Sequence, residues 1–492
     1  MRIDEVLIGA NLVSLDQIAA AQRRQVQEGG DIASNLIALG IVSQATLDRV
    51  IRISPPEPTS LEQLKIKESD LLDLLMKLIQ VQGLETTAQI SAAIKLPLPL
   101  ARELGDLATV RQLIRVTSAR GTGSLAEQRY QITEAGRDWA EAAKERSHYI
   151  GPCPVSLDAF RDHIMLQKIT NDRVTLKELK AALVDLCFPE DFIRKIGPAL
   201  NSGRPVLFYG PPGNGKTSVA VRLGRILSKV TYVPYSVMIE GQIMRVFDSK
   251  LHFMLRANRR NDDGIVRSLK DDEYDERWIA CRQPFVVAGG ELTLEMLELA
   301  YDPISKFYEA PLHVKALGGS VLIDDFGRQL VSPAGLLNRW IVPLENGYDF
   351  LKLHTGRTFE LPFEVRVMFS TNLEPDDLMD SAFLRRIPFK LEVGRPTPEE
   401  FKVIFAAAAE KRNIPLEGDE MAEFALRELV EKRGIEIAAY QPDFIVQQVI
   451  LNCEFEGSEP HFEERLIEAA IGNIQVKRYQ PPKAAAASAP PP

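Results

Sequence analysis

The residue types best suited to chemistry stand in a glycine-rich stretch that follows an apolar run. Val206 to Tyr209 is strand-like, and a helical pattern runs from Ser218 to Leu227. The stretch has the spacing G-x-x-x-x-G-K-[ST], and with the next residue it comprises Gly210, Pro211, Pro212, Gly213, Asn214, Gly215, Lys216, Thr217 and Ser218. Glycines let successive backbone N–H groups turn toward phosphate oxygens at the positive end of a helix. The motif therefore predicts a phosphate-binding loop, with Lys216 on the β- and γ-phosphates of a nucleotide.

Two acidic residues end a second apolar strand. The run Ser320 to Ile323 leads into Asp324 and Asp325. One carboxylate at such a strand end can hold the water shell of Mg²⁺, and the other can polarise an attacking water. We predict that Thr217 and Asp324 serve Mg²⁺ and that Asp325 is the catalytic base. Glu is more common at that position, and because Asp is one methylene shorter we expect slow hydrolysis.

A polar residue and an arginine pair follow a third apolar run. Val365 to Thr371 ends at Asn372, whose amide can bridge the γ-phosphate and the attacking water. Arg385 and Arg386 come next. One or both can reach the γ-phosphate of a neighbouring subunit and neutralise charge that develops in the transition state. Weaker candidates for this role are Arg328 and Arg339.

In this order, the phosphate loop, the Asp-Asp strand, the Asn-tipped strand and the arginine pair resemble the AAA+ ATPases over residues 155–475. The resemblance implies ATP and Mg²⁺ as cofactors, within a multidomain α/β chain. It also implies a P-loop NTPase core with a parallel sheet at 155–395, a helical lid at 396–476, and a ring-shaped homo-oligomer, usually a hexamer. The site then lies between subunits. The chain departs from the family at Asp443, where a late lid helix often carries an arginine, so we do not expect a second arginine in cis.

A long excursion interrupts the predicted core. We expect Thr231–Tyr235 to be a core strand, and we assign an insert at 237–315 after it. Within the insert, Trp278–Val287 is typical of a strand pair or hairpin, and a basic stretch (256–260) precedes an acidic run (271–276). Inserts of this family often face the ring pore or a partner; a loop packed on the core is the alternative, and the sequence leaves both open.

Residues 1–54 contain a short internal repeat. Leu7–Ser14 echoes Leu36–Ser43, and each unit predicts a helix, a left-handed cap and a serine-capped helix. The repeat resembles the N-terminal domain of type II secretion and type IV pilus assembly ATPases, whose paired motifs can bind cyclic di-GMP. Asp4 and Asp31 occupy motif positions where acidic side chains would repel phosphates. We therefore do not favour cyclic di-GMP binding and predict a helical docking module.

A proline-rich linker at 55–67 precedes a second module at 68–148. Three amphipathic helices and two strands that flank a glycine tip at 120–123 resemble a winged-helix domain. Many winged helices bind DNA, which requires a clustered positive face. Here the helix that would read DNA carries Arg102 and Arg111 together with two acidic residues. We favour a protein-interaction role, and DNA binding remains an alternative.

Composition limits the remaining possibilities. The 492 residues carry a formal net charge of −9, which argues against a large nonspecific hold on nucleic acid. The four cysteines are far apart, as expected of reduced residues in a cytoplasmic protein. No apolar run is long enough to span a membrane, no histidine pair has metal-ligand spacing, and the alanine- and proline-rich tail at 477–492 is typical of disorder.

These observations predict an ATPase that works in a ring-shaped oligomer to remodel or assemble an unknown protein client, with a link to secretion or pilus machinery suggested by the first module. The alternatives are a signalling switch that responds to a nucleotide or to cyclic di-GMP, and a DNA-associated ATPase guided by the winged helix. Nothing in the sequence identifies the client.

Overall fold

The computed structural model describes residues 6–8, 10, 12–29, 32–44, 46–47, 53–120, 127–171, 173–184, 186–226, 230–255, 274–378 and 381–474. Several sequence predictions lie outside these residues: the acidic motif positions Asp4 and Asp31, the glycine tip, the basic stretch, most of the acidic run, and the C-terminal tail. The structure therefore bears on the remaining predictions only.

The first module contains two helices, α1 (Leu15–Glu28) and α2 (Ile32–Ala38). The predicted serine cap is present, since the Ser14 hydroxyl accepts a hydrogen bond from a backbone N–H of the first turn of α1. Such a cap satisfies a donor that a helix start otherwise leaves unpaired. The buried apolar residues of this module, Leu36 among them, belong to the same hydrophobic cluster as Tyr274 of the predicted insert.

The segment 55–67, predicted as a linker, packs against the rest of the chain. The Pro55 carbonyl accepts a hydrogen bond of 3.0 Å from the Asp275 N–H. A short 3₁₀ helix (Glu62–Leu64) then buries Leu64. Burying this apolar side chain favours a packed connection over an extended one.

The second module has its own apolar core. Its elements are α3 (Glu68–Gln82), α4 (Thr87–Ile94), α5 (Leu98–Val110), β1 (Ile114–Arg120), β2 (Glu127–Ile132) and α6 (Glu134–Arg146). The two strands pair antiparallel. The order of three helices followed by a strand pair agrees with the predicted order, and α6 packs against α3.

Sixteen strands in total lie in the described residues, and fourteen of them belong to residues 155–392. These are β3 (Val155–Ser156), β4 (Val206–Tyr209), β5 (Val230–Pro234), β6 (Ser236–Ile239), β7 (Gln242–Arg245), β8 (Trp278–Arg282), β9 (Phe285–Ala288), β10 (Ala300–Asp302), β11 (Phe307–Glu309), β12 (Ser320–Ile323), β13 (Tyr348–Lys352), β14 (Thr358–Pro362), β15 (Arg366–Ser370) and β16 (Phe389–Glu392). The helices of the same region are α7 (Leu157–Leu166), α8 (Leu176–Ala182), α9 (Glu190–Asn201), α10 (Lys216–Ile226), α11 (Leu312–Lys315), α12 (Pro333–Arg339), α13 (Ile341–Asn346), α14 (Pro375–Leu378) and α15 (Ser381–Leu384).

A parallel sheet of five strands forms the centre of this region, in the order β16-β4-β15-β12-β9. The inner strands are buried along their length, which is why they read as continuous apolar runs in the sequence. In parallel sheets the carboxyl ends of the strands share one edge, where ligands bind. The glycine-rich loop, the Asp-Asp pair and Asn372 follow three neighbouring strands at this edge.

The strand prediction around the insert is wrong in two places. β5, expected in the core sheet, pairs antiparallel with β8 outside it. The expected hairpin at 278–287 does not form, because β9 leaves β8 and joins the parallel sheet beside β12. Pro284, which cannot donate to a strand ladder, marks the crossing between the two sheets. The segment 285–288 of the predicted insert therefore belongs to the core.

A second sheet, in the order β10-β11-β7-β6-β3, holds the second module against the insert. The Lys306 ammonium donates to the Glu145 carbonyl at 2.9 Å. The His148 N–H donates to the Ser305 carbonyl, also at 2.9 Å. The described part of the insert thus packs against the second module of the same chain.

A helical unit with its own apolar core ends the described chain. It contains α16 (Pro398–Lys411), α17 (Glu420–Arg427), a π-helical turn (Glu428–Lys432), α18 (Tyr440–Glu456) and α19 (Glu464–Gly472). We call it the C-terminal helical unit. Neither here nor in the other described helices is there one long and apolar enough to cross a membrane.

The crossing at Pro284 predicts the effect of one substitution. A Cβ at Gly319 would lie 2.1 Å from the Pro284 carbonyl oxygen, so Gly319→Ala must push β9 and β12 apart. We expect a loss of about 1–3 kcal/mol in the free energy of unfolding, as for other overpacked sites, measured by urea titration with tryptophan fluorescence. Gly472→Ala is the control, because a Cβ there meets an ordinary contact at 3.5 Å; equal effects of the two would contradict the prediction.

Candidate functional site

The glycine-rich loop lies between β4 and α10, as predicted. Gly210, Gly213 and Gly215 all have positive φ, at +131°, +79° and +87°. Only glycine adopts such conformations readily. A Cβ at Gly210 would also lie 2.6 Å from the Val393 carbonyl oxygen. The loop geometry therefore requires glycine at the positions that the motif supplies.

Lys216 begins α10 and is 6% exposed. Its ammonium donates to the carbonyl oxygens of Gly210 and Pro211, at 2.9 and 2.8 Å. Burial lowers the pKa of Lys216 below its ordinary value, while Asp325 and Asp324 oppose the shift. The loop thus contains a partly desolvated positive charge, which interacts more strongly with an anion than an exposed lysine would.

Thr217, in the first turn of α10, meets Asp324, which follows β12. The Thr217 hydroxyl donates to the Asp324 carboxylate, with Oγ1–Oδ1 and Oγ1–Oδ2 distances of 2.9 and 3.2 Å. A hydroxyl and a carboxylate are hard oxygen ligands of the kind that Mg²⁺ prefers, and Mg²⁺ usually takes few protein ligands beside water and phosphate oxygens. The described residues contain no cluster of three or more metal-binding side chains. The donor set therefore fits a Mg²⁺ bound together with a phosphorylated ligand.

Asp325 and Asn372 form the second polar pair of the site. The Asn372 Nδ2 donates to the Asp325 Oδ1 at 3.0 Å. Asp325 has φ +50°, a conformation that Asp tolerates better than most residues. The structure therefore brings together the base and the amide that the sequence predicted on separate strands.

Gln329 supports this turn, and the sequence prediction missed it. Its amide donates to the Asp324 carbonyl at 2.7 Å and accepts from the Gly327 N–H at 2.8 Å. Both bonds span the residues that follow β12, so they fix the turn that orients Asp325. A glutamine soon after an acidic strand end is the only sequence signal, and it is not specific.

The two arginines of the predicted pair differ in their surroundings. Arg386 forms an ion pair with Glu345 at 2.6 Å and lies over the Phe383 ring. Arg385 is exposed at the end of α15. Neither arginine lies among the described residues that line the cavity beside the loop. Within one chain, the pair is therefore not part of the phosphate site.

Arg339, a weaker candidate for contact with a neighbour's γ-phosphate, forms ion pairs within its own chain. Its guanidinium pairs with the buried carboxylate of Asp349 at 2.7 Å and with Glu298 at 2.5 Å. The Nε2–H of His313 donates to the same Asp349 carboxylate at 2.8 Å. This buried network ties α12 to the β13–β14 hairpin and holds Arg339 within its own chain. Arg328 is exposed.

A cavity of about 550 Å³ lies beside the loop, a size suited to small-molecule ligands. Phe188 and Phe192, which precede β4 in the chain, form part of its wall with their ring centroids 4.9 Å apart. The C-terminal helical unit contributes Tyr440 and Glu400. The aromatic wall was missed in the sequence, because two phenylalanines near a helix start are ordinary core residues.

Asp443 faces away from the loop. Its carboxylate pairs with Arg412, with one N–O distance of 2.9 Å. This ion pair lowers the pKa of the Asp443 carboxyl below its ordinary value and raises that of the Arg412 guanidinium. The contact lies wholly within the C-terminal helical unit.

The parallel sheet and the glycine-rich loop together define an α/β fold with a P-loop core. Residues 397–473, within the C-terminal helical unit, match a family model described as a domain of unknown function, DUF8689. No curated protein matches the chain.

Solved structures with similarity to the chain include a RuvB mutant of Thermotoga maritima, 14% identical, with a TM-score of 0.32 over 62% of this chain and 72% of that one. The Thermotoga maritima RuvB Holliday junction branch migration motor is 16% identical, with a TM-score of 0.32 over 65% and 72%. NtrX from Brucella abortus is 14% identical, with a TM-score of 0.34 over 71% and 64%. Similarities with TM-scores this low do not establish a function for this chain.

The Gln329 contacts predict a metal-linked effect. Gln329→Ala removes both bonds to the turn, so Asp324 and Asp325 lose their fixed orientation, at a cost of about 1–2 kcal/mol. We expect the Mg²⁺ concentration for half-maximal nucleotide binding to rise roughly tenfold, measured by titration of a fluorescent nucleotide. Gln329→Glu keeps the acceptor for the Gly327 N–H, so its Mg²⁺ requirement should lie between those of the wild type and Gln329→Ala. An unchanged Mg²⁺ requirement in Gln329→Ala would refute the role of this residue.

Proposed function

We propose that this chain is an AAA+ ATPase that binds and hydrolyses ATP with Mg²⁺ in a ring-shaped homo-oligomer. One observation carries the proposal. The hydroxyl of Thr217 donates a hydrogen bond to the Asp324 carboxylate, and the amide of Asn372 donates one to the Asp325 carboxylate. These side chains come from separate segments, and the parallel sheet brings them to one edge beside the P-loop. A phosphate-binding loop without catalytic purpose would not require this convergence.

Each group has a physical role in ATP cleavage. The N–H groups of the P-loop and the Lys216 ammonium bind the β- and γ-phosphates. Thr217 and Asp324 hold Mg²⁺, which neutralises phosphate charge when it is bound. Asp325 accepts a proton from the attacking water, which Asn372 orients against the γ-phosphate. Asn372 bonds only the Oδ1 of Asp325, so Oδ2 is available to accept the proton. As the water oxygen bonds to the γ-phosphorus, the bond from that phosphorus to ADP breaks, and ADP and phosphate are released.

The remaining contacts complete the nucleotide site. Phe188 and Phe192 offer an apolar wall for the base. The C-terminal helical unit serves as the lid over the nucleotide. Arg385 is the residue that acts on a neighbouring subunit's γ-phosphate, because Arg386 is held by Glu345 of its own chain. That assignment makes oligomerisation a condition of turnover.

The two N-terminal modules select a protein client in this proposal. Residues 1–54 act as a docking module like those of secretion and pilus ATPases, and 68–148 act as a winged helix used for protein contact. Charge supports this choice over DNA: Arg111 is ion-paired with Glu68, and Arg115 donates to Gln131. Both cations are thus occupied within the module.

Turnover measurements test the ATPase itself. Lys216→Ala should abolish binding of a fluorescent ATP analogue. Asp325→Asn should bind it and hydrolyse ATP about 100-fold more slowly than the wild type, because the base is lost. The wild-type kcat should lie below about 1 s⁻¹, the slow end for enzymes, as measured by phosphate release. Binding that survives Lys216→Ala would refute the proposal, and a fast wild-type kcat would refute the role given to the short Asp325 side chain.

Mixing variants tests the shared site. Arg385→Ala should retain nucleotide binding but lose turnover by about 10³-fold. Mixed with Asp325→Asn, it should recover part of the activity, because one subunit then supplies Arg385 and its neighbour supplies Asp325. Lys180→Ala, which removes an exposed ion pair with Glu190, is the control and should change neither quantity. Mixtures without recovery would refute a shared site.

A further inference from the structure

The first turn of α18 lies directly on the P-loop. The Tyr440 N–H donates to the Gly213 carbonyl at 3.0 Å, and the Ala439 N–H donates to the Asn214 Oδ1 at 3.1 Å. The Tyr440 ring covers Gly213 so closely that a Cβ there would lie 2.5 Å from a ring carbon. Two hydrogen bonds and one close contact therefore join the phosphate-binding loop to the lid.

These two bonds supply a helix cap that α18 does not encode in its own sequence. The N-cap residue is Ala439, which has no polar side chain. The start of a helix leaves several N–H groups without acceptors, and asparagine is among the side chains that best satisfy them. Here the asparagine comes from the P-loop. Asn214 is 2% exposed, and its Nδ2 donates to the Pro211 carbonyl at 3.3 Å, which fixes the orientation of the amide.

The geometry of one peptide unit links this cap to the phosphate site. The C=O of Gly213 and the N–H of Asn214 belong to the same planar trans peptide, so they point in opposite directions. Because the C=O points toward Tyr440, the N–H points away from the lid. Any rotation of this peptide changes the N–H available to a phosphate and the C=O available to α18 together.

An arginine that could sense the nucleotide from the lid is absent from position 443. Asp443, one turn into α18, pairs with Arg412 within the lid. A carboxylate would also repel phosphate oxygens if it turned toward them. The first turn of α18 thus contacts the P-loop through its bonds to Gly213 and Asn214 and through the Tyr440 ring.

We propose that Asn214 is a positioning residue that couples phosphate binding in the P-loop to the placement of the lid. The inference rests on the proposed ATPase function for the ligand, whereas the cap is a property of the free chain. Binding free energies between coupled sites are reciprocal. A phosphate that orders the loop thus secures the lid, and a lid held by Asn214 raises the affinity for the nucleotide by the same factor.

Hydrogen exchange on the full-length protein tests the coupling. In the free chain, the amides at the start of α18 should exchange about fivefold faster in Asn214→Ala than in the wild type, the effect expected for loss of a helix cap. Mg²⁺ with a non-hydrolysable ATP analogue should slow this exchange in the wild type and much less in Asn214→Ala. Analogue affinity, measured by titration, should fall by a similar factor.

A second variant removes the partner instead of Asn214. Ala439→Pro deletes the N–H donor, and the φ of −64° at this position suits proline. The increases in hydrogen exchange caused by Ala439→Pro and Asn214→Ala should not add in the double variant, because both substitutions remove the same hydrogen bond. Ala439→Gly keeps the N–H and adds no side chain that could cap α18, so it should behave nearly as the wild type.

The outcomes separate the two proposals. If the wild type binds no analogue, the proposed function is wrong. The cap is then tested only by comparing hydrogen exchange of the wild type and Asn214→Ala in the free chain. Equal exchange of wild type and Asn214→Ala in the free chain would overturn the inference. So would a full response of Asn214→Ala to the analogue, because the lid would then sense the nucleotide by another route.

Discussion

The parallel register of three neighbouring strands is the constraint on which the site depends. Backbone hydrogen bonds continue beyond the strands: the Phe326 N–H donates to Ser370 at 2.7 Å, and the Thr371 N–H donates to Phe208 at 3.0 Å. Each bond fixes the register between the end of one strand and its neighbour. Because side chains alternate along a strand, a slip of one residue would turn the acidic pair away from the P-loop. The distances between these side chains are thus set by backbone pairing more than by the side chains themselves.

The polar groups of the site satisfy one another. Lys216 is bound by loop carbonyls, Thr217 by Asp324, and Asn372 by Asp325. Lys216 is buried and therefore requires such partners, whereas Thr217 and Asp325 are exposed and can exchange their partners for water. A ligand that binds here replaces one set of partners by another, and its affinity reflects only the difference between them. This favours a site that switches between two satisfied arrangements.

The sequence was most informative where chemistry is local. Three glycines with positive φ and a lysine at a helix start form a motif that one short segment specifies, and the buried strands beside it read as apolar runs. It failed where distant segments decide the outcome. The apolar run of β5 does not reveal that β9, far along the chain, replaces it in the central sheet. Arg339 likewise looked available, because its partner Asp349 is recognisable only in the fold.

The place where the insert leaves the core has a mechanical consequence. The part of the insert that contains Ser305 and Lys306 lies between β9, the edge strand of the central sheet, and β12, its neighbour in that sheet. The second module is bonded to the insert through Lys306 and His148. The position of the second module therefore depends on how β9 sits against β12, the strand that leads into Asp324 and Asp325. A shift of β9 against β12 would move the second module relative to the acidic pair.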